Sequence, residues 1–312
     1  MIKKIIIPVI ILFIFVSCDE NIVYKAPFKQ KPVLYCVINA DSSVQFAMLQ
    51  KSFNDKDNPG NNYIKDAEVR LTSNNQSENL IDTSVINGNK KIDLYVARNF
   101  KPELGSKIKI EAKLSNGQQV SSSITLPEFK SFLLDQSGLI VPPVIDPRIL
   151  FISWTLRKAS KNLYFLPRLT INYKVRTNKG EEFRTYEIPL EYIEAGKKEI
   201  PIYPHIIPGQ SILYFQKNIE TAFREISKGD SNKSFYTIQN LTFEVIIMEK
   251  HLAQYAASIQ SFENSYSVKI YEPLVSNIKN GIGVFGGYAK RSEKVPLDTD
   301  FVLSFGYKFE EQ

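Results

Sequence analysis

Short runs of alternating apolar and polar residues recur along this chain and constrain its fold more than any other feature. Residues 67–71 (AEVRL) show the alternation most clearly, and Lys107–Lys113 (KIKIEAK) is interpreted in the same way. A period of two puts successive side chains on opposite faces of a β-strand. Asn-Gly pairs at 87–88 and 116–117 separate such runs and are typical of hairpin turns. The sequence therefore predicts a mainly β fold.

Turn signals and prolines divide the chain into two β-rich parts. Residues 31–127 contain six or seven short predicted strands, which is typical of an immunoglobulin-like β-sandwich. Residues 128–148 are rich in proline and are predicted to be a linker. Residues 149–312 are predicted to form a larger β-rich domain with two amphipathic helices.

The two helices are predicted from apolar residues spaced three and four positions apart. This spacing occurs near 211–227, with a glycine just past the end, and again near 249–263. Both apolar stripes are interpreted as faces that pack on a core. Residues 301–309 are predicted to be a final strand.

The first residues carry an export signal instead of a part of the fold. Two lysines precede a twelve-residue apolar run, which falls short of the roughly 20 residues that a spanning helix needs. A serine and then Cys18 follow the run and resemble the bacterial lipobox, in which the cysteine thiol receives a lipid. We therefore predict a signal peptide over 1–17, lipid on Cys18 and a polar tether over 18–30. The alternative is an ordinary signal peptide with a chance cysteine at its end.

Charge and cysteine content exclude some classes of function. The 39 basic and 33 acidic residues are interleaved, so the formal charge of +6 forms no basic stripe that would indicate a nucleic-acid partner. If Cys18 is lipidated, Cys36 is the one cysteine left and no internal disulfide can form. Cys36 lies in an apolar strand and is predicted to be buried and structural.

A glycine-rich segment near the end of the chain matches a nucleotide-binding pattern by spacing. Residues 281–286 read G-x-G-x-x-G. A dinucleotide site needs this loop between a buried strand and a helix, where the pyrophosphate meets the helix N-terminus. Polar, turn-prone residues precede the glycines here and no helical periodicity follows. We interpret the glycines as allowing tight turns or close strand approach.

The chain shows no catalytic or metal-binding pattern. His205 and His251 stand 46 residues apart, with no cysteine pair to complete a ligand set. No G-x-S-x-G segment is present to indicate a hydrolase nucleophile. We therefore predict no cofactor, no metal and no enzymatic activity. A pair of carboxylates assembled by the fold stays open as an alternative.

Several segments occur in an order that resembles a known family. They are PVLYCVI (32–38), IKDAEV (64–69), LG with SNG (104–105 and 115–117) and SNIKNGIGVFGG (276–287). With the export signal, they resemble the Bacteroidota outer-membrane lipoprotein family named domain of unknown function 4249, over nearly the whole mature chain. The resemblance implies that five residues form a structural motif of the family, namely Asn277, Gly281, Gly283, Phe285 and Gly286.

The resemblance implies a location and a partner but no chemistry. Members look like accessory lipoproteins, often encoded beside TonB-dependent outer-membrane transporters. Asp19 and Glu20 resemble the acidic signals that send such lipoproteins to the cell surface. We expect a lipid-anchored outer-membrane protein that binds a ligand or assists a TonB-dependent transporter in nutrient uptake. Two alternatives stay open, a surface hydrolase acting on glycans or peptides and a purely structural or adhesive envelope lipoprotein.

Overall fold

The computed structural model describes residues 28–53, 62–74, 76–88, 90–195, 198–263 and 275–310. The predicted signal peptide, Cys18, Asp19 and Glu20 lie outside the described residues. The fold is mainly β, which confirms the prediction. The strands are β1 Pro32–Asn39, β2 Gln45–Lys51, β3 Glu68–Thr72, β4 Ser77–Asn87, β5 Lys90–Ala97, β6 Lys107–Lys113, β7 Gln119–Thr125, β8 Ser131–Leu134, β9 Ile149–Arg157, β10 Tyr164–Thr177, β11 Gly180–Glu187, β12 Glu191–Ala195, β13 Lys198–Ile202, β14 Ser211–Phe215, β15 Tyr236–Met248, β16 Ile282–Val295 and β17 Lys308–Phe309. The helices are α1 Gln216–Glu225, α2 Lys250–Glu263 and α3 Thr299–Ser304.

Strands β1 to β7 form two sheets that share one long strand. The first part of β4 pairs with β3 up to Leu80, and from Ile81 onward β4 pairs with β5. One sheet therefore contains β1, β2, β5 and β4, and the other contains β4, β3, β6 and β7. Alternate residues of both sheets, such as Leu49 of β2 and Ile110 of β6, are fully buried in a common core. This is the sandwich arrangement that the short strands predict.

A second layered unit is formed by the later strands. Strands β10, β11, β15 and β16 pair side by side, and β8, β9 and β14 form a separate three-stranded sheet. Trp154 of β9 lies between the two, with its ring centroid 5.7 Å from that of Phe165 and 5.5 Å from that of Phe243. These rings belong to a buried cluster that also includes residues of the N-terminal sandwich.

Strand β16 belongs to both units. Its first half, from Ile282 to Tyr288, pairs in parallel with β1. Its second half, from Tyr288 to Val295, pairs antiparallel with β15. This one strand therefore joins the two units into a continuous twelve-stranded sheet.

Two predicted elements differ from the structure. The helix predicted near 211–227 covers only Gln216–Glu225, because Ser211–Phe215 pairs with β9 as a strand. The final strand predicted over 301–309 is wrong for most of its length, since α3 occupies Thr299–Ser304. The Asp298 side chain caps this helix by accepting a hydrogen bond from the amide of Phe301. The helix predicted near 249–263 is confirmed as Lys250–Glu263.

The segment predicted as a linker contains ordered structure. It includes β8, and the side chain of Val141 is fully buried. The Val141 amide donates to the carbonyl of Pro296, and the amide of Asp298 donates to the carbonyl of Val141. The division into domains at 31–127 and 149–312 stays a prediction.

Candidate functional site

The five residues of the predicted family motif lie together where β16 begins. Asn277 fixes the strand by two hydrogen bonds to the backbone of Phe285, in which its Nδ2 donates to the carbonyl at 2.7 Å and its Oδ1 accepts from the amide at 2.9 Å. The hydroxyl of Ser122 on β7 donates to the Asn277 carbonyl at 2.7 Å. This segment therefore attaches β16 to the N-terminal sandwich.

Glycine is required in the motif because neighbouring groups approach the backbone closely. Gly283 has a φ of +117°, and a Cβ there would lie 2.2 Å from the carbonyl oxygen of Leu34 on β1. A Cβ on Gly286 would lie 2.7 Å from the Cβ of Leu252 on α2. Phe285 is fully buried and lies opposite Cys36 of β1. Glycine at 283 therefore allows β1 to approach β16 closely, glycine at 286 allows α2 to do so, and the segment continues as a strand.

The outer face of the sheet formed by β4, β3, β6 and β7 is polar and carries two grooves of interest. Neighbouring residues across the strands form rows, such as Glu68–Lys113–Gln119 and Arg70–Glu111–Ser121. A groove of about 660 Å³ runs along these two rows and is bounded by Asn280. Alternation predicts which residues of Lys107–Lys113 face outward, but it does not reveal the groove.

A second groove on the same face is lined by positive charge. Its volume is about 340 Å³, and its lining residues include Lys107, Lys109 and Lys279 together with hydroxyl groups of β3 and β7. The Lys279 backbone pairs with Ser121, which places this lysine at the edge of the sheet. The charge composition of the whole chain gave no sign of this concentration.

The three-stranded sheet presents a different surface, which we name the apolar face. It consists of the side chains of Leu133, Phe151, Leu213 and Phe215, which are 44%, 60%, 38% and 46% exposed. Leu213 lies directly opposite Phe151, and alternation places all four on the side of the sheet away from Trp154. Large apolar side chains grouped on an exposed surface commonly mark an interaction site.

Glu187 and Glu244 are two carboxylates of the main sheet that interact electrostatically, and glycosidases use a pair of carboxylates. Burial raises the pKa of Glu187 and Glu244 raises it further, while Arg168 lowers it. Each carboxylate has its own cation, however, because Arg168 Nε lies 3.2 Å from Glu187 and Lys290 Nζ lies 2.8 Å from Glu244. The four residues form a charge network on a sheet face and line none of the grooves described above, so nothing in this geometry favours glycoside hydrolysis.

The remaining chemically reactive residues have structural surroundings. Cys36 is 2% exposed, and burial raises the pKa of its thiol. Glu249 caps α2 by accepting from the amides of His251 and Leu252, and its carboxylate lies 3.0 Å from His251 Nδ1. Among the described residues, no group of three or more His, Cys, Asp or Glu side chains could hold a metal ion. No described helix is long and apolar enough to cross a membrane.

The fold and surfaces together define a mainly β protein with two candidate binding surfaces and with no catalytic constellation among the described residues. The family described as "Domain of unknown function (DUF4249)" matches residues 19–294. The chain therefore belongs to this family, as the order of its motifs predicted.

The other comparisons add little. No curated protein matches the chain. Among solved structures it is similar to the full ectodomain (Ig1–Ig3) of mouse nectin-like molecule 4, with 9% identity and a TM-score of 0.18. The match covers 86% of this chain and 64% of that chain. We draw no conclusion about fold or function from a likeness at this level.

Proposed function

We propose that this protein is a lipid-anchored accessory lipoprotein of the outer membrane, which binds a TonB-dependent transporter and assists it in nutrient uptake. The observation that carries the proposal is the apolar face. The lipid anchor rests on the sequence around Cys18, and the choice of partner rests on the resemblance to lipoproteins encoded beside such transporters.

The apolar face has the properties of a surface that is covered by another protein. Burying one large apolar side chain contributes roughly 1.5–3 kcal/mol, so leaving four of them in water forgoes considerable stabilisation. Phe151, Leu213 and Phe215 lie side by side, and the polar residues Ser153, Thr155 and Ser211 lie between these three and Leu133 on the same side of the sheet. A hydrophobic centre within polar surroundings is typical of a protein–protein interface.

If lipid is attached to Cys18, the number of thiols that react with a reagent is fixed in the native and in the unfolded protein. Under native conditions Cys36 should react slowly with a thiol reagent, because it is buried and its pKa is raised. After unfolding in concentrated guanidinium, one thiol per chain should react, because lipid occupies the sulfur of Cys18. Two reactive thiols in the unfolded protein would contradict lipidation. The Cys18→Ser variant is the control, and it should show one thiol but leave the membrane fraction.

Binding of the transporter to the apolar face is tested by replacing apolar side chains of this face and measuring the amount of transporter that remains bound. The tagged protein is recovered from native outer membranes in mild detergent, and its partners are quantified by mass spectrometry. The Phe151→Ser/Leu213→Ser variant should recover about tenfold less transporter, since central apolar side chains carry most of the energy of an interface.

The matched control replaces two apolar residues that are also exposed but lie on other strands. Phe183 of β11 is 73% exposed and Ile86 of β4 is 82% exposed. The Phe183→Ser/Ile86→Ser variant should recover as much transporter as the unmodified protein. The proposal fails if no transporter accompanies the unmodified protein, or if both double variants lose it equally.

A further inference from the structure

A chain of lysines crosses the polar side of the N-terminal sandwich. We name it the lysine track and define it by Lys107, Lys109, Lys161, Lys250 and Lys279. Lys107, Lys109 and Lys279 line the second groove, and Lys107, Lys161 and Lys250 line a third groove of about 360 Å³. Lys107 and Ser123 belong to both, so the two grooves are continuous.

The lysines gather here although they repel one another. Lys107 and Lys109 lie two residues apart on the same face of β6, which separates their Cα atoms by roughly 7 Å. Of the five lysines of the track, Lys109 is the one for which the described part of the chain shows an ion pair, to Glu111 at 2.7 Å. Two ammonium groups on one face of a strand repel each other by Coulomb's law. A ligand of opposite charge would relieve this repulsion.

Acidic groups neutralise only part of the track, since Glu111 pairs with Lys109 alone. No residue that lines the second groove is acidic. In the third groove the acid is Glu249, and its carboxylate accepts hydrogen bonds from two amides at the start of α2.

Neutral hydrogen-bonding groups are interleaved with the lysines. The second groove contains the hydroxyls of Thr72, Ser121 and Ser123, and the third contains Ser160 and Asn162. Hydroxyl and amide groups suit a ligand that carries its own hydroxyls, while the ammonium groups suit anionic groups at intervals. Neither groove is lined by Phe, Tyr or Trp, so the stacking that nucleic-acid bases require has no platform.

We infer that the lysine track binds an acidic polysaccharide whose sugar units carry carboxylate groups. The inference rests on the proposed binding role but not on the transporter, since the track and the apolar face are different surfaces. Hydroxyls of the sugar chain would meet the serine, threonine and asparagine side chains, and its carboxylates would meet the lysines. A planar phospholipid surface fits less well, because the lysines lie within grooves.

The test measures binding of fluorescently labelled oligogalacturonate to the full-length protein in mild detergent. The Lys107→Gln/Lys279→Gln variant should bind about tenfold more weakly, because two charge-assisted contacts are lost. The Lys90→Gln/Lys179→Gln variant removes the same charge from exposed positions elsewhere and should bind within about twofold of the unmodified protein. The methyl-esterified oligomer, which lacks the charges, should bind at least about tenfold more weakly than the acid form.

Several results would overturn the inference. They are the absence of oligogalacturonate binding, equal losses in the two double variants, and equal binding of the esterified oligomer. Tighter binding of an oligothymidylate would point to a phosphate polymer, and tighter binding of vesicles rich in anionic lipid would point to a membrane surface. Transporter recovery by the Lys107→Gln/Lys279→Gln variant is measured in parallel, so failure of this inference is distinguishable from failure of the proposed function.

Discussion

Gly283→Ala is expected to lower the free energy of unfolding by about 3–5 kcal/mol, a loss in the range of the most damaging single substitutions. A Cβ at this position would lie 2.2 Å from the carbonyl oxygen of Leu34, and a φ of +117° disfavours any residue with a side chain. The colliding atom belongs to the backbone of β1, so it cannot rotate away. Either β16 separates from β1 or both strands shift.

Urea unfolding followed by circular dichroism measures this loss. A substitution at a second glycine separates the cost of the steric collision from the cost of the left-handed backbone conformation. Gly117 also has a positive φ, +83°, but a Cβ there would have no heavy atom within 4 Å. Gly117→Ala should therefore cost only about 1–2 kcal/mol, the price of a left-handed conformation. Equal losses in the two variants would contradict close strand approach as the reason for glycine at position 283.

Local patterns in the sequence predict much of the N-terminal sandwich. In Lys107–Lys113 the outward residues are exposed and the inward residues are buried, as a period of two requires. Successive strands such as β6 and β7 also pair with each other, so short-range signals are sufficient for them. The long strand β4 was not predicted, because Ser77–Asn87 has no regular alternation and changes partner midway.

Long-range pairing accounts for what the sequence could not predict. The pairing of Val33 with Ile282 joins residues about 250 positions apart, and no local periodicity encodes such a contact. Ser211–Phe215 carries apolar residues at helical spacing but forms a strand, because pairing with β9 outweighs local preference. The sequence left tight turns and close strand approach open as the role of Gly283, and the position of Leu34 beside it decides for close approach.

The candidate binding surfaces are likewise predicted in part by local patterns and depend otherwise on long-range pairing. Alternation in Lys107–Lys113 places two lysines of the track on one outward face. Lys279 joins them through its pairing with Ser121, and the third groove brings Lys161 from a loop and Lys250 from the start of α2. The apolar face likewise depends on β14 being a strand, since Leu213 lies opposite Phe151 only in that pairing.

Because β16 belongs to both units, we predict that residues 31–127 do not fold stably alone. Without β16 this fragment loses Phe285 from its core and seven paired residues from the edge of β1. Burial of the phenylalanine alone contributes roughly 1.5–3 kcal/mol. With the lost strand pairing, we expect a deficit of about 5 kcal/mol or more, which is enough to unfold a domain of ordinary stability. The exposed edge of β1 also favours aggregation.

Restoring the missing strand should restore folding. Residues 275–290 are joined to the end of the fragment by a flexible Gly/Ser linker of about 15 residues, and cooperative urea unfolding is compared with that of the fragment alone. The matched control is the same fusion with Gly283→Ala. It has the same length and linker and differs at one residue, which prevents the close approach to Leu34. If the isolated fragment unfolds as cooperatively and at the same urea concentration as the fusion, β16 is an accessory to a self-sufficient sandwich. If only the unmodified fusion folds, the sandwich is completed by a strand from the far end of the chain, and the family motif is the segment that fixes that strand in place.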